Sequence, residues 1–176
     1  MATATWIRDE LEQQGIAFEE RHHPDSFTAQ EVAQNEHVSG HRVAKVVCVL
    51  ADGLPVELVL PASRRVVLDW VRDLLRAREC RLASEEEMAH FFTDCEPGAV
   101  PALRHWRGID VLMDAHLRVP GDIFILGGTY RDAYRMRFDD WFALVKPRVE
   151  LLSEPASAAP QKASDMEANM EQGGGI

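Results

Sequence analysis

The chain has 176 residues, 46% of them hydrophobic and 27% charged, a composition that fits one globular domain with its own core and is short for two. Its formal net charge is −10, from 19 Lys+Arg against 29 Asp+Glu, which excludes broad sequence-independent binding of DNA or RNA but leaves room for contact with one RNA end. No apolar run approaches the ~18–20 residues of a membrane span, so no membrane partner and a cytoplasmic location are expected.

Taken from the N-terminus, residues 3–14 are expected to form a helix. Trp6, Ile7 and Leu11 share one side, Thr3 or Thr5 caps it, and Gly15 stops it. Ile16 to His22 reads as a short strand with a polar edge. Thr28 and Glu31 have capping-box spacing before a short helix, so the Thr28 hydroxyl reads first as a cap.

The stretch VAKVVCVL that begins at Val43 is apolar on both of its alternating sides except at Lys45. It predicts a central strand covered on both faces. A lysine there is costly, because burying an unpaired ammonium removes several kcal/mol of solvation, as a rough figure. Either the amine snorkels to the rim, or it is a cation at a pocket floor that meets an anionic or carbonyl-bearing ligand. Pattern alone leaves both open.

Asp52-Gly53 marks a turn into Val56–Leu60, which predicts a hairpin over 43–60. Ser63 is expected to cap a helix over 64–77, with Val67, Leu68, Val71, Leu74 and Leu75 inward. Arg65, Arg72 and Arg76 would share its outer side with Asp69 and Asp73, as solvated pairs or as a phosphate-facing strip. Ser84 and Glu87 form a second capping box, for a helix ending near Phe92, and residues 93–106 follow neither period. Strands are expected at Asp110–Asp114 and Asp122–Leu126, followed by a tight turn at Gly127-Gly128. Tyr134, Met136 and Phe138 alternate with Arg135 and Arg137, a strand with one wet face. Asp139 or Asp140 would cap a last helix around Trp141, Phe142 and Leu144, stopped by Pro147. This gives a domain over 1–152 and a tail over 153–176 whose composition predicts disorder.

Few residues are placed for chemistry. His37 and His41 have the spacing of two helical metal ligands, but Ser39-Gly40 interrupts them and no glutamate or cysteine completes a set, so no metal is expected. Cys48, Cys80 and Cys95 lack C-x-x-C spacing, which suggests neither a disulfide framework nor a zinc site. Cys95 lies between Asp94 and Glu96, whose charges would keep it a thiol. There is no nucleophile elbow, phosphate-binding loop or dinucleotide fingerprint. What remains is Lys45 and the loop Pro97-Gly98-Ala99-Val100-Pro101, whose backbone N–H groups could converge on a carbonyl oxygen or oxyanion.

Taken together and in order, VAKVV, LPVELVLPASRR, LASEEEMAHFFTDCEPGAVPAL, VLMDAHL and ILGG resemble the YbaK/prolyl-tRNA synthetase-associated domain family, over roughly residues 5–147. That resemblance implies a mixed α/β fold in which a curved, partly barrel-like sheet is flanked by helices. It implies an aminoacyl-tRNA deacylase that edits in trans, hydrolysing the ester of a small mischarged amino acid at a tRNA 3′ end, with tRNA-Pro as one candidate and no cofactor.

It also implies catalytic roles for Lys45 and for the backbone of Gly98, Ala99 and Val100. Substrate contacts are implied for Thr28, Pro101, Ala102, Gly127 and Gly128, and for Asp114, which matches the aspartate of the family's V-x-V-D-x-x-L strand and has a structural role as its alternative. Ala102 stands where the family's loop proline is expected, with Pro101 one place earlier. Arg104-His105-Trp106 replaces a glycine region beyond it. A second reading is therefore a homologue without turnover that binds an aminoacyl or nucleotide ligand as a regulatory module. The tail is a candidate docking segment for an aminoacyl-tRNA synthetase.

Overall fold

The hairpin read from residues 43–60 is the spine of the molecule. Val43–Ala51 (β2) and Leu54–Pro61 (β3) pair antiparallel, with Ala44 opposite Pro61 and Ala51 opposite Leu54. Asp52 and Gly53 at its tip have φ of 49° and 81°, the left-handed pair that a two-residue hairpin turn requires. The computed structural model describes residues 4–156. Around the hairpin it places strands β1 (Phe18–His22), β4 (Arg64–Val66), β5 (Cys80–Leu82), β6 (Asp110–Asp114), β7 (Asp122–Leu126), β8 (Asp132–Arg137), β9 (Arg148–Glu150) and β10 (Ser153–Pro155). The helices are α1 (Trp6–Gln13), α2 (Ala29–Asn35), α3 (Leu68–Leu74), α4 (Glu85–Phe91) and α5 (Phe138–Val145).

Eight strands form one mixed sheet in the order β1-β8-β7-β2-β3-β6-β9, with β5 on β2. Three contacts are parallel, those of β2 with β7, β3 with β6, and β6 with β9. The two faces are covered by different helices, as the doubly apolar β2 requires. Ala44 packs in a cluster with Ile7 and Leu11 of α1 and Phe138, Trp141 and Val145 of α5. On the other face Val43 packs with Ala29, Val32 and Ala33 of α2, and Val49 with Val71 of α3.

Parallel pairing of β2 with β7 involves only Val43 and Ala44, and β5 joins β2 only from Val49 onward. Between these points one edge of β2 carries no strand. Phe92 and Val100 pack on Cys48 there, so the irregular segment after α4 fills the gap. None of the helices among the described residues is long and apolar enough to cross a membrane.

Two expectations are corrected. The helix expected from Ser63 starts only at Leu68, because Arg64–Val66 is a strand paired with Ser153–Pro155. Ser63 Oγ lies 2.9 Å from His41 Nδ1 instead of capping a helix. Arg65 therefore leaves the arginine strip and pairs with Glu154. For the same reason the chain from Ser153 is not a tail at once: Ser153 is buried, and Arg64 donates to both its hydroxyl and its carbonyl. Residues 157–176, and the synthetase docking assigned to them, lie outside the described residues.

Candidate active site

The loop over Pro97–Leu103 is set by contacts at its upstream end. Glu96 is the hub. Its N–H donates to the Gly128 carbonyl at 2.8 Å, its carbonyl accepts the Ala99 N–H at 3.0 Å, and its Oε2 accepts the Tyr130 N–H at 2.6 Å. The Gly128 N–H returns to the Ala99 carbonyl at 2.8 Å, so loop and turn are laced together. Gly128 has φ of 86°, and a Cβ there would come within 2.8 Å of the Ala4 Cβ.

Gly98 has φ of 84°, and a Cβ on it would sit 2.9 Å from the carbonyl oxygen of Phe27. Gly98→Ala is expected to cost about 1–2 kcal/mol from the left-handed backbone alone and to move the loop off Phe27. A thermal melt of the variant checks the first effect.

Thr28 begins α2 and accepts the Glu31 N–H, while the Glu31 carboxylate reaches one residue further back, to the N–H of Phe27. Thr28 is thus a cap in the structure, adjacent in the chain to the residue that touches Gly98. Phe27 itself is 57% exposed and meets the ring of Tyr130 edge-on at 4.8 Å. An aromatic pair, Phe27 exposed and Tyr130 half-buried, therefore stands beside the loop.

The register of β2 puts Lys45 opposite Leu60, on the face shared by Val43 and Val47. Val43 belongs to the α2 cluster and Val47 to the α3 cluster, so the lysine rises from the seam between them. It is half-buried, and desolvation holds its amine below the usual lysine range. No carboxylate among the described residues pairs with it. The start of α2 lies between two of these parts: Ala29 packs with Val43, two residues before Lys45, and the Phe27 carbonyl abuts Gly98.

Not every expected residue is brought together. A cavity of about 370 Å³ opens beside the loop, bounded by residues 93–97 and by Gly128 and Thr129, and Lys45 does not line it. Ala99 does not offer a free N–H, since Glu96 accepts it. Gly98 and Val100, on either side of it, donate to no acceptor among the described residues. Gly98 and Val100 are therefore the two of the three expected loop donors whose N–H groups have no acceptor among the described residues.

Pro101 and Ala102 are buried beneath the loop, and the Ala102 carbonyl accepts the Trp141 indole N–H at 2.7 Å. Gly127 lies against Asp132, donating to its carbonyl at 2.8 Å. Asp114 is fully buried at the end of β6, and its carboxylate accepts the N–H groups of Leu152 and His116 at 2.9 Å each. A group so enclosed and so occupied serves as a staple of the fold.

Burial, with help from the Asp94 charge, pushes the Cys95 thiol up to about 12, so it is no nucleophile near neutral pH.

Comparisons with known proteins give the family and the fold. A family model described as aminoacyl-tRNA editing domain matches residues 23–144. No curated protein matches the chain. Among solved structures, a candidate trans-editing enzyme for prolyl-tRNA synthetase superposes with a TM-score of 0.76 at 22% identity, covering 86% of this chain and 96% of that one. A scaffold protein from epitope grafting by computational design gives 0.76 at 21% identity, with 86% and 97% covered. A hypothetical protein gives 0.76 at 19% identity, with 84% and 99% covered. Likeness at this level of identity shows the fold.

Proposed function

Since this chain belongs to the aminoacyl-tRNA editing domain family, we propose that it is a trans-acting deacylase that hydrolyses the ester of a small mischarged amino acid, such as alanine, serine or cysteine, on a tRNA, with tRNA-Pro as the first candidate. The observation that carries this reading is the unpaired, half-buried ammonium of Lys45 at the seam beside α2. A cation kept there without a partner suits a ligand that brings negative charge, such as the phosphate at the 3′ end of an RNA.

An aminoacyl ester is already activated, so its hydrolysis needs neither metal nor protein nucleophile. Water attacks the carbonyl carbon, the C–O bond to the ribose breaks, and the ribose oxygen leaves with a proton. The free N–H groups of Gly98 and Val100 are the donors for the oxygen that becomes negative in between. The neighbouring ribose hydroxyl orients the attacking water and relays its proton. Larger, correct amino acids are refused by clash rather than by weaker attraction.

Phe27 and Tyr130 fit the same substrate. Unstacked RNA bases are held on aromatic faces, each worth about 1–3 kcal/mol. Phe27→Ala is therefore expected to raise KM for aminoacyl-tRNA by roughly tenfold with kcat changed far less, as steady-state deacylation would show.

The reading is tested by incubating the protein with a panel of mischarged tRNAs. Rapid loss of one small amino acid supports it. The occupied N–H of Ala99 favours a second reading, a binding module of the same pocket without turnover. Tight binding of an aminoacyl-tRNA with no deacylation of any panel member would establish that reading instead.

A further inference from the structure

Behind the loop lies a buried pair that the chemistry above does not use. Glu57, on β3, is 0% exposed, and the side chain of His105 is 6% exposed. His105 Nδ1 lies 2.8 Å from Glu57 Oε1, and the His105 backbone N–H donates to that same oxygen at 3.3 Å. Trp6 and Phe92 close edge-on around the imidazole, with centroids at 5.3 Å and 4.6 Å. Cys48 stands opposite Glu57 across the hairpin. The other polar atom of each partner, Glu57 Oε2 and His105 Nε2, has no hydrogen-bond partner among the described residues.

Such a pair is poorly explained by stability. Each unmet buried polar atom costs free energy, and an apolar pair of similar volume commonly holds a fold as well or better. What the pair does supply is a directed tether. Glu57 belongs to the most enclosed hairpin of the sheet, and it holds main chain and side chain of a residue two places beyond Leu103. The upstream end of the loop is held by Glu96 and Gly128 and its middle by the Trp141 indole on the Ala102 carbonyl, so Glu57 adds the hold just beyond Leu103. Trp106, the next residue, packs with Phe92 over Cys48, which carries the same restraint to the β2 edge.

We infer that Glu57 and His105 are a positioning pair, which fixes the downstream end of the 97–103 loop so that the Gly98 and Val100 N–H groups stay aimed. Their effect on rate rests on the deacylase reading, whereas the restraint on the loop does not. Neither side chain meets the substrate. They act through the loop.

The test uses the full chain with both partners made apolar, Glu57→Leu with His105→Leu. Removing both strands no buried charge and leaves only the His105 main-chain N–H without its acceptor, so the melting temperature is expected to stay within a few degrees (roughly) of the wild type. The amides of 97–106 are nonetheless expected to exchange hydrogen about tenfold faster, with exchange elsewhere unchanged. For deacylation, kcat should fall about tenfold while KM stays within about twofold, because only aim is lost.

A folded double variant with wild-type exchange across 97–106 and wild-type kcat would overturn the inference and make the pair merely structural. If the wild type deacylates nothing, the functional reading fails and the exchange result alone decides this one. Should the double variant not fold, Glu57→Met with His105→Phe, which also removes the tether but fills more of its volume, replaces it. Faster exchange across 97–106 in that folded protein supports the inference, and wild-type exchange with wild-type kcat overturns it.

Discussion

Lys45→Ala is expected to lower kcat/KM for aminoacyl-tRNA hydrolysis by roughly ten- to a hundredfold, the scale of losing one charge-assisted contact to a substrate phosphate. The fold should survive. The lysine has no carboxylate partner among the described residues, so its removal strands no opposite charge, and it relieves the desolvation that depresses its pKa. The variant should therefore melt at or slightly above the wild-type temperature while losing turnover, and the two measurements together separate a functional lysine from a packing one. Equal turnover by variant and wild type would remove Lys45 from the mechanism.

The same burial fixes a pH dependence. An amine whose folded pKa lies below the free value is penalised while it is charged. That penalty is present at neutral pH and disappears as pH rises through the folded value toward the free one, near 10.4. Binding needs the charged form, so wild-type activity should fall on an alkaline limb set below the usual lysine range. Bound phosphate would move the limb back upward in kcat relative to kcat/KM, because the ligand's charge favours the ammonium.

How far the sequence carried can be judged from single residues. The hairpin, the Thr28 cap, the Ser84-Glu87 capping box and the strands at Asp110–Asp114 and Asp122–Leu126 are legible because period and turn chemistry are local. The partner of Arg64–Val66 was not, since Ser153–Pro155 has the composition of a tail and becomes a strand only through Arg64 and Arg65, about 90 residues away by the count between them. At the site, Lys45 was visible as an anomaly inside an apolar strand.

Glu57 was not. In Val56-Glu57-Leu58 a lone glutamate reads as the wet side of an alternating strand, and only the arrival of His105 from the far side of the fold explains its burial. The loss of the Ala99 N–H to Glu96 was likewise hidden, because a turn's internal hydrogen bond depends on backbone angles that P-G-x-x-P does not fix.

Asp114 gives the largest expected effect on stability. Burial alone would raise its carboxyl, but the N–H groups of Leu152 and His116 outweigh burial, aided by Ser153 and by the His116 ring, and hold it below the usual carboxylate range. Asp114→Ala removes the acceptor for two main-chain donors and frees the start of the segment that leads to β10. Breaking a buried charged contact of this kind costs about 3–5 kcal/mol, a large share of the roughly 5–15 kcal/mol that holds a domain together.

The sign with pH follows from the direction of the shift. The contribution of Asp114 is present above its unfolded value, near 3.9, and is lost as pH falls through the lower folded value. Urea titrations of wild type and Asp114→Asn should therefore differ most near neutrality and converge in acid. Deacylation per folded molecule should be the same for both, because Asp114 is enclosed at the end of β6 rather than at the loop. If instead the variant kept its urea midpoint but lost turnover, Asp114 would belong to the substrate site after all.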